Sequence, residues 1–134
     1  LERTLVLIKP DACARHLIGA ILAIYEQSGL TIEQLRLLKP GRELVAAHYA
    51  EHRGQPYYPG LIENLTGVPV VAAVIEGDQA IARVRELNGA TDPAAAAPGT
   101  IRARYGLDKR RNSVHASDSP VSAAREIALW FGEV

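Results

Sequence analysis

Apolar residues recur along this chain at two different periods, and the switches between them lay out the elements. Thr4 to Ile8 is a continuous apolar run rich in β-branched residues that stops at Lys9-Pro10-Asp11, the pattern of a strand covered on both faces. Leu17, Ile18, Ile21, Leu22 and Tyr25 then recur at helical spacing, and with Ser28-Gly29 as a stop they predict a helix over 14–28. Residues 30–38 alternate imperfectly, with Leu30 and Ile32 in one phase and Leu35 and Leu37 in the other, as in a bulged or edge strand. A helix over 42–51 follows. Gly54, Pro56, Pro59 and Gly60 break the chain before a short helix near 61–65.

Residues 69–76 read as a second buried strand. Gly77-Asp78 opens a helix with Ile81, Val84 and Leu87 inward, and Asn88-Gly89 closes it with a left-handed cap. From Ala90 to Asn112 no periodicity survives, and a structureless stretch of that length inside a compact domain is more often functional than idle. Residues 113–116 form a very short strand, Ser119-Pro120 supplies an N-cap and first-turn proline, and a last helix runs to about Phe131. The order β-α-β-(α)-β-α-loop-β-α predicts one α+β domain over residues 1–134. Its expected architecture is a ferredoxin-like sandwich, with a four-stranded antiparallel sheet, helices on one face and a long irregular loop before the last strand.

Composition narrows the classes. A chain of 134 residues with 48% hydrophobic residues can bury a core without disulfides or metals, and its longest apolar run is far short of a membrane span. The first residues lack the basic flank and long apolar stretch of a signal peptide, and the single Cys13 fits a reducing compartment, so a cytoplasmic location is expected. Fifteen basic residues balance fifteen acidic ones, which argues against a broadly basic nucleic-acid binder. Residues 83–112 nevertheless hold seven basic and three acidic side chains, so any polyanion site is local and concentrated there.

The last helix carries the first candidate chemistry. Ala123, Ile127 and Trp130 form its buried stripe and Glu126 falls within it, so this carboxylate needs a partner. His115, at the end of the preceding strand, is placed to be that partner. Either the histidine merely satisfies a buried acid, or the acid holds one imidazole nitrogen protonated and leaves the other free to attack. Lys9, Arg85, Thr91, Arg102 and Asn112 are phosphate-binding residue types, each also common as a solvated group on a protein surface. The chain has no Walker A sequence, so a phosphate site would be built from side chains.

The run Asn112-Ser113-Val114-His115-Ala116-Ser117-Asp118-Ser119 resembles the active-site signature of the nucleoside diphosphate kinases, Asn-x-x-His-[Gly/Ala]-Ser-Asp. Residues 3–11, 48–52, 89–93 and 98–102 are similar to the same family in the same order, so the resemblance covers nearly the whole chain. It implies ping-pong transfer of the γ-phosphate of a nucleoside triphosphate, typically ATP, to a nucleoside diphosphate through a phosphohistidine on His115. By the same resemblance Nδ1 is the phosphorylated atom, Glu126 orients the ring and Ser117 supports Glu126. Lys9, Tyr49, Arg85, Thr91, Arg102 and Asn112 match positions that contact phosphates or ribose. In that scheme Lys9 and Asn112 hold the sugar hydroxyl, while Arg85, Thr91 and Arg102 hold the terminal phosphates. Tyr57 and the stem of Lys109 flank the base, implying stacking and broad base tolerance. Mg²⁺ is implied on the substrate phosphates with no metal ligands from the protein. A homo-oligomer (dimer, tetramer or hexamer) is implied too, while the balanced charge and short apolar runs argue against nucleic acid and membrane as partners.

Some positions depart from the family pattern: Ala12-Cys13 after Lys-Pro-Asp, Gly67-Val68 before Pro69, and Arg104 where an aspartate is frequent. Two rival readings compete. The string His48-Tyr49-Ala50-Glu51-His52 satisfies the zinc-peptidase pattern His-x-x-Glu-His, against which both histidines read as ordinary surface residues. A non-catalytic nucleotide or nucleic-acid binding module on the same sandwich is the other, with Lys109-Arg110-Arg111 as its backbone contact.

Overall fold

A computed structural model describes residues 1–132. Four strands, β1 (Glu2–Ile8), β2 (Thr31–Leu38), β3 (Val70–Gly77) and β4 (Val114–Ala116), form one sheet in the order β2-β3-β1-β4, with every neighbouring pair antiparallel. Around it lie α1 (Pro10–Ala14), α2 (Ile18–Gln27), α3 (Arg42–His48), α4 (Tyr58–Leu65), α5 (Ala80–Asn88), α6 (Ile101–Tyr105) and α7 (Pro120–Phe131). The expected α+β ferredoxin-like sheet is present. No helix among the described residues is long and apolar enough to cross a membrane.

The helices are not confined to one face. Val6 and Ile8 of β1 pack with Val71, Ala73 and Ile75 of β3 against Ile21 and Tyr25 of α2 and Val84 of α5. Leu5 and Leu7 point the other way, with Val70, Ala72 and Val74, against Val45 of α3, Ile62 and Leu65 of α4, and Ile127 and Trp130 of α7. This corrects the one-face arrangement. A strand apolar at every position has two faces to hide, and the second needs helices of its own.

The predicted helix over 14–28 begins only at Ile18, as α2, and a separate short helix, α1 (Pro10–Ala14), precedes it. His16 takes a φ of 62°, the N–H of Leu17 reaches the carbonyl of Ala12 at 3.1 Å, and that of His16 reaches Cys13 at 3.2 Å. These bonds have the pattern of a Schellman termination, formed here without glycine, so the usual stop signal is missing. The other boundaries lie close to expectation. β2 is an edge strand whose register slips between Ile32 and Gln34, and α3 ends at His48 before a 3-10 turn at Ala50–His52. The irregular segment gains a 3-10 turn at Pro93–Ala95 and the short α6.

Two closures depend on tertiary contacts. Gly89 ends α5 with a φ of 87°, and a Cβ there would stand 2.5 Å from the Thr100 hydroxyl, so both conformation and space call for glycine. The start of α5 is capped from across the sheet: Glu2 of β1 accepts the Ile81 N–H at 2.8 Å, while Gln79 occupies the N-cap position at φ 52°.

Candidate active site

β4 is three residues long and pairs with β1, so that His115 lies opposite Leu7 and shares its face of the sheet, toward α7. Ser119 caps α7 by accepting the Ser122 N–H, and Pro120 fits the first turn, where no N–H is needed. The helix then brings Glu126 back over β4 on its buried side. His115 Nε2 lies 2.9 Å from Glu126 Oε1, and Ser117 Oγ donates to the same oxygen at 2.9 Å. The Arg125 guanidinium stands 3.6 Å from Oε2. A carboxylate oxygen that accepts from both groups places the imidazole proton on Nε2 and leaves the Nδ1 lone pair free.

The strand end is tied down from β1. Ser113 adopts φ 77°, and its N–H donates to Asp11 Oδ2 at 3.1 Å, while the Lys9 N–H donates to the Ser113 carbonyl at 2.9 Å. Sequence reasoning gave Asp11 no role. Its signal is only the short Lys-Pro-Asp run, which does not say what the carboxylate meets.

His48 was also missed. It is buried at the end of α3, where its Nδ1 accepts the Trp130 indole N–H at 3.1 Å, and its ring meets that of His115 edge-on with centroids 4.6 Å apart. Burial, reinforced by the nearby His115, holds its pKa well below 6.5. The spacing of Val45, His48 and Tyr49 at i, i+3 and i+4 is the signal that could have placed it inside. Surface exposure is thereby corrected for His48, and the zinc-peptidase geometry does not assemble. The helix face breaks after His48, His52 Nδ1 pairs with the Tyr57 hydroxyl at 2.9 Å, and Glu51 faces Arg125 at 3.4 Å.

His48, His115 and Glu126 do offer ligand atoms within 4.8 Å of one another. Indole N–H is only a donor, however, so the His48 proton sits on Nε2. A metal there would force that proton onto Nδ1, against the Trp130 N–H.

In front of His115 lies a cavity of about 390 Å³ whose walls carry Lys9, Tyr49, Arg85, Thr91, Arg102, Lys109, Asn112 and Glu126. Lys9 Nζ donates to the Arg110 carbonyl at 2.5 Å and to Asn112 Oδ1 at 2.9 Å, and Asn112 Nδ2 donates to the Thr91 and Lys109 carbonyls at 3.0 and 3.1 Å. Burial lowers the Lys9 pKa to about 8, with Asp11 opposing. Arg102 donates to the Gly89 and Val114 carbonyls, both at 2.8 Å, and burial lowers its pKa. It therefore braces the wall as well as charging it. Burial, then Glu126, raises the Tyr49 phenol to about 12, so it stays a donor. Ser117 stands behind Glu126. Tyr57 lies in an adjoining cleft of about 980 Å³, which shares Leu61, Thr91 and Lys109 with the first cavity.

Fold and site together define an α+β sandwich with a carboxylate-held histidine facing a cationic, nucleotide-sized groove. The family model for nucleoside diphosphate kinase matches residues 2–134. The nucleoside diphosphate kinase of Rhodococcus opacus (strain B4) is 60% identical over 131 residues, covering 97% of this chain and 94% of that one. That of Mycobacterium tuberculosis (strain CDC 1551 / Oshkosh) is 57% identical over 131 residues, covering 97% and 96%. Among solved structures, the Aquifex aeolicus nucleoside diphosphate kinase superposes with a TM-score of 0.94 at 45% identity, covering 97% of this chain and 94% of that one. The chain belongs to the nucleoside diphosphate kinase family, and it is a phosphotransferase of that class.

Proposed function

We propose that the chain carries out ping-pong phosphoryl transfer with His115 as the nucleophile. Nδ1 attacks the γ-phosphorus of a nucleoside triphosphate as the bond to the β–γ bridging oxygen breaks, and the nucleoside diphosphate departs. A second nucleoside diphosphate then takes the phosphoryl group from Nδ1, restoring the free imidazole. The carrying observation is the 2.9 Å contact of His115 Nε2 with Glu126, which keeps the proton off the attacking nitrogen and offsets the ring's positive charge as the bond forms. Arg85, Thr91 and Arg102 supply donors for the terminal phosphates, Lys9 and Asn112 for the sugar hydroxyl, and Tyr49 a phenolic donor in the same cavity. Tyr57 and Lys109 flank the base, and stacking there accepts many bases.

Mg²⁺ enters with the nucleotide in this reading. Of the carboxylates lining the cavity, Glu126 is committed to His115 and Ser117, while Glu51 and Asp118 are exposed and paired with Arg125 and Ser122. That set would leave the ion to be carried on the substrate phosphates rather than held by protein carboxylates. When bound, the ion neutralises charge on the β- and γ-phosphate oxygens.

A cytoplasmic location and a homo-oligomer complete the proposal. The edge strand β2 exposes Leu35 and Leu37, apolar surface that a second copy would cover. Mass by light scattering tests the assembly.

Incubation with γ-labelled ATP and Mg²⁺ tests the chemistry. An acid-labile, alkali-stable label on His115 that moves to added GDP is expected, and His115→Ala should abolish transfer. Label that never reaches His115, or that does not move to GDP, overturns the proposal. Nucleotide binding that outlasts transfer in His115→Ala separates the pocket from the chemistry.

A further inference from the structure

The cleft beyond the catalytic cavity carries more cation than a stacked base needs. Of the three consecutive basic residues on its wall, Arg111 is neutralised by a two-nitrogen ion pair with Asp108, at 2.9 and 2.7 Å. Arg110 has no side-chain hydrogen bond or ion pair among the described residues. Its guanidinium lies over α4 where Gly60 leaves room, since a Cβ on Gly60 would stand 2.5 Å from Nη1 of Arg110. Tyr57, three residues before Gly60, lines the same cleft and is 43% exposed.

The loop that presents Lys109 and Arg110 is fixed from below. Lys9 Nζ holds the Arg110 carbonyl, Asn112 holds the Lys109 carbonyl, and the Asp108 carboxylate accepts the N–H groups of Arg110 and Arg111 at 3.0 and 2.6 Å. Burial and hydrogen bonding beneath the loop thus set where an exposed guanidinium stands, and the glycine opposite receives it.

We propose that Arg110, seated over Gly60 beside Tyr57, reads the edge of the nucleotide base and favours bases that present a carbonyl oxygen there over bases that present an amino group. A guanidinium only donates. It can bond O6 and N7 of guanine or hypoxanthine and O4 of uracil or thymine. The 6-amino group of adenine and the 4-amino group of cytosine offer it a donor instead. The preference acts within the broad tolerance that stacking allows, and it rests on the phosphotransfer reading above.

The test compares second-order rates at which the labelled phosphoenzyme is discharged by IDP against ADP and by UDP against CDP, at fixed Mg²⁺ and ionic strength. Hypoxanthine lacks the 2-amino group of guanine, so the purine pair isolates the six-position edge. The expected ratio is about fivefold toward the oxo base in both pairs, the low end for a donor contact in an open cleft. In Arg110→Ala the ratios fall to within about twofold of unity. Gly60→Ala keeps the charge but displaces the guanidinium and should do the same; Ala suits this helical position, and the clashing atoms belong to the end of a flexible side chain. Equal rates in the parent protein, or ratios that persist in either variant, overturn the inference. Discharge by all four acceptors at equal rates leaves phosphotransfer standing and removes only the base-edge assignment. A phosphoenzyme that never forms, or that none of the four discharges, removes both.

Discussion

The indole N–H of Trp130 donates to Nδ1 of His48 at 3.1 Å, and this contact in the core decides what His115 has beside it. With its proton held on Nε2 and its pKa held down by burial, His48 is a neutral ring packed edge-on against His115. In the proposed transfer the His115 imidazole becomes positive as its bond to phosphorus forms, and a neighbour that charged readily would place a second cation against it.

Acid should therefore destabilise the fold partly through His48. Above pH 6.5 the residue is neutral both folded and unfolded. Below it the unfolded chain takes up a proton that the folded chain refuses, so stability falls as pH drops from 6.5 toward the depressed native value. Urea midpoints measured between pH 7 and 5 should fall less steeply in His48→Gln than in the parent. Trp130→Phe should cost about 1–3 kcal/mol at neutral pH beyond any packing loss, because Nδ1 of His48 is left unsatisfied.

Lys9 should set an alkaline limit on phosphotransfer. Its pKa of about 8, lowered by burial from 10.5, means that the ammonium is lost within the working range of an ordinary assay. Phosphotransfer should decline as pH rises through about 8, and Lys9→Arg, whose charge persists, should lack that limb even at lower overall rate. Stability moves oppositely. Between 8 and 10.5 the unfolded chain binds the extra proton, so folding through this group is favoured as pH rises.

Glu126→Ala should slow phosphoenzyme formation about tenfold to a thousandfold while changing the apparent affinity for nucleoside triphosphate little, because Glu126 acts through His115. Rapid-quench measurement of the labelled enzyme over a range of ATP concentrations separates the two effects. A loss confined to affinity would contradict the orienting role.

Thr4 is fully buried on β1, facing the same core as Val6 and Ile8, and its hydroxyl finds no partner among the described residues. Thr4→Val removes an unsatisfied polar atom at nearly constant shape and should stabilise the fold by about 1 kcal/mol, read as an increased urea midpoint with unchanged slope.

Much of this was open to reading from residue order alone. The apolar runs of β1 and β3, the stripe of α7 and its Ser119-Pro120 start follow from periodicity and capping chemistry, which act over a few residues. Glu126 could be placed inward because the stripe that contains it is local, and the need for a partner followed from the cost of an unpaired buried acid. Three features resisted. The stop at His16 is made by a non-glycine residue with positive φ, stabilised by backbone bonds that no side-chain pattern announces. His48 shares the inward spacing of Val45 and Tyr49, yet only the arrival of Trp130 from 82 positions away fixes its proton and makes it a neutral buried base. Arg102 and Lys9 look like free cations in the sequence, yet both spend hydrogen bonds on main-chain carbonyls and so shape the cavity they charge.

Local pattern by itself determined the strands, most of the helices, the concentration of positive charge in 83–112 and the pairing demand of Glu126, because each rests on residues close in sequence or on chemistry intrinsic to one side chain. Tertiary structure alone decided that both faces of the sheet are covered, which nitrogen of His115 is held, that His48 is a neutral neighbour, and where the guanidinium of Arg110 stands. Those outcomes depend on groups 11 to 101 positions apart being brought within hydrogen-bond distance, and the spacing of residues along a chain carries no record of that approach.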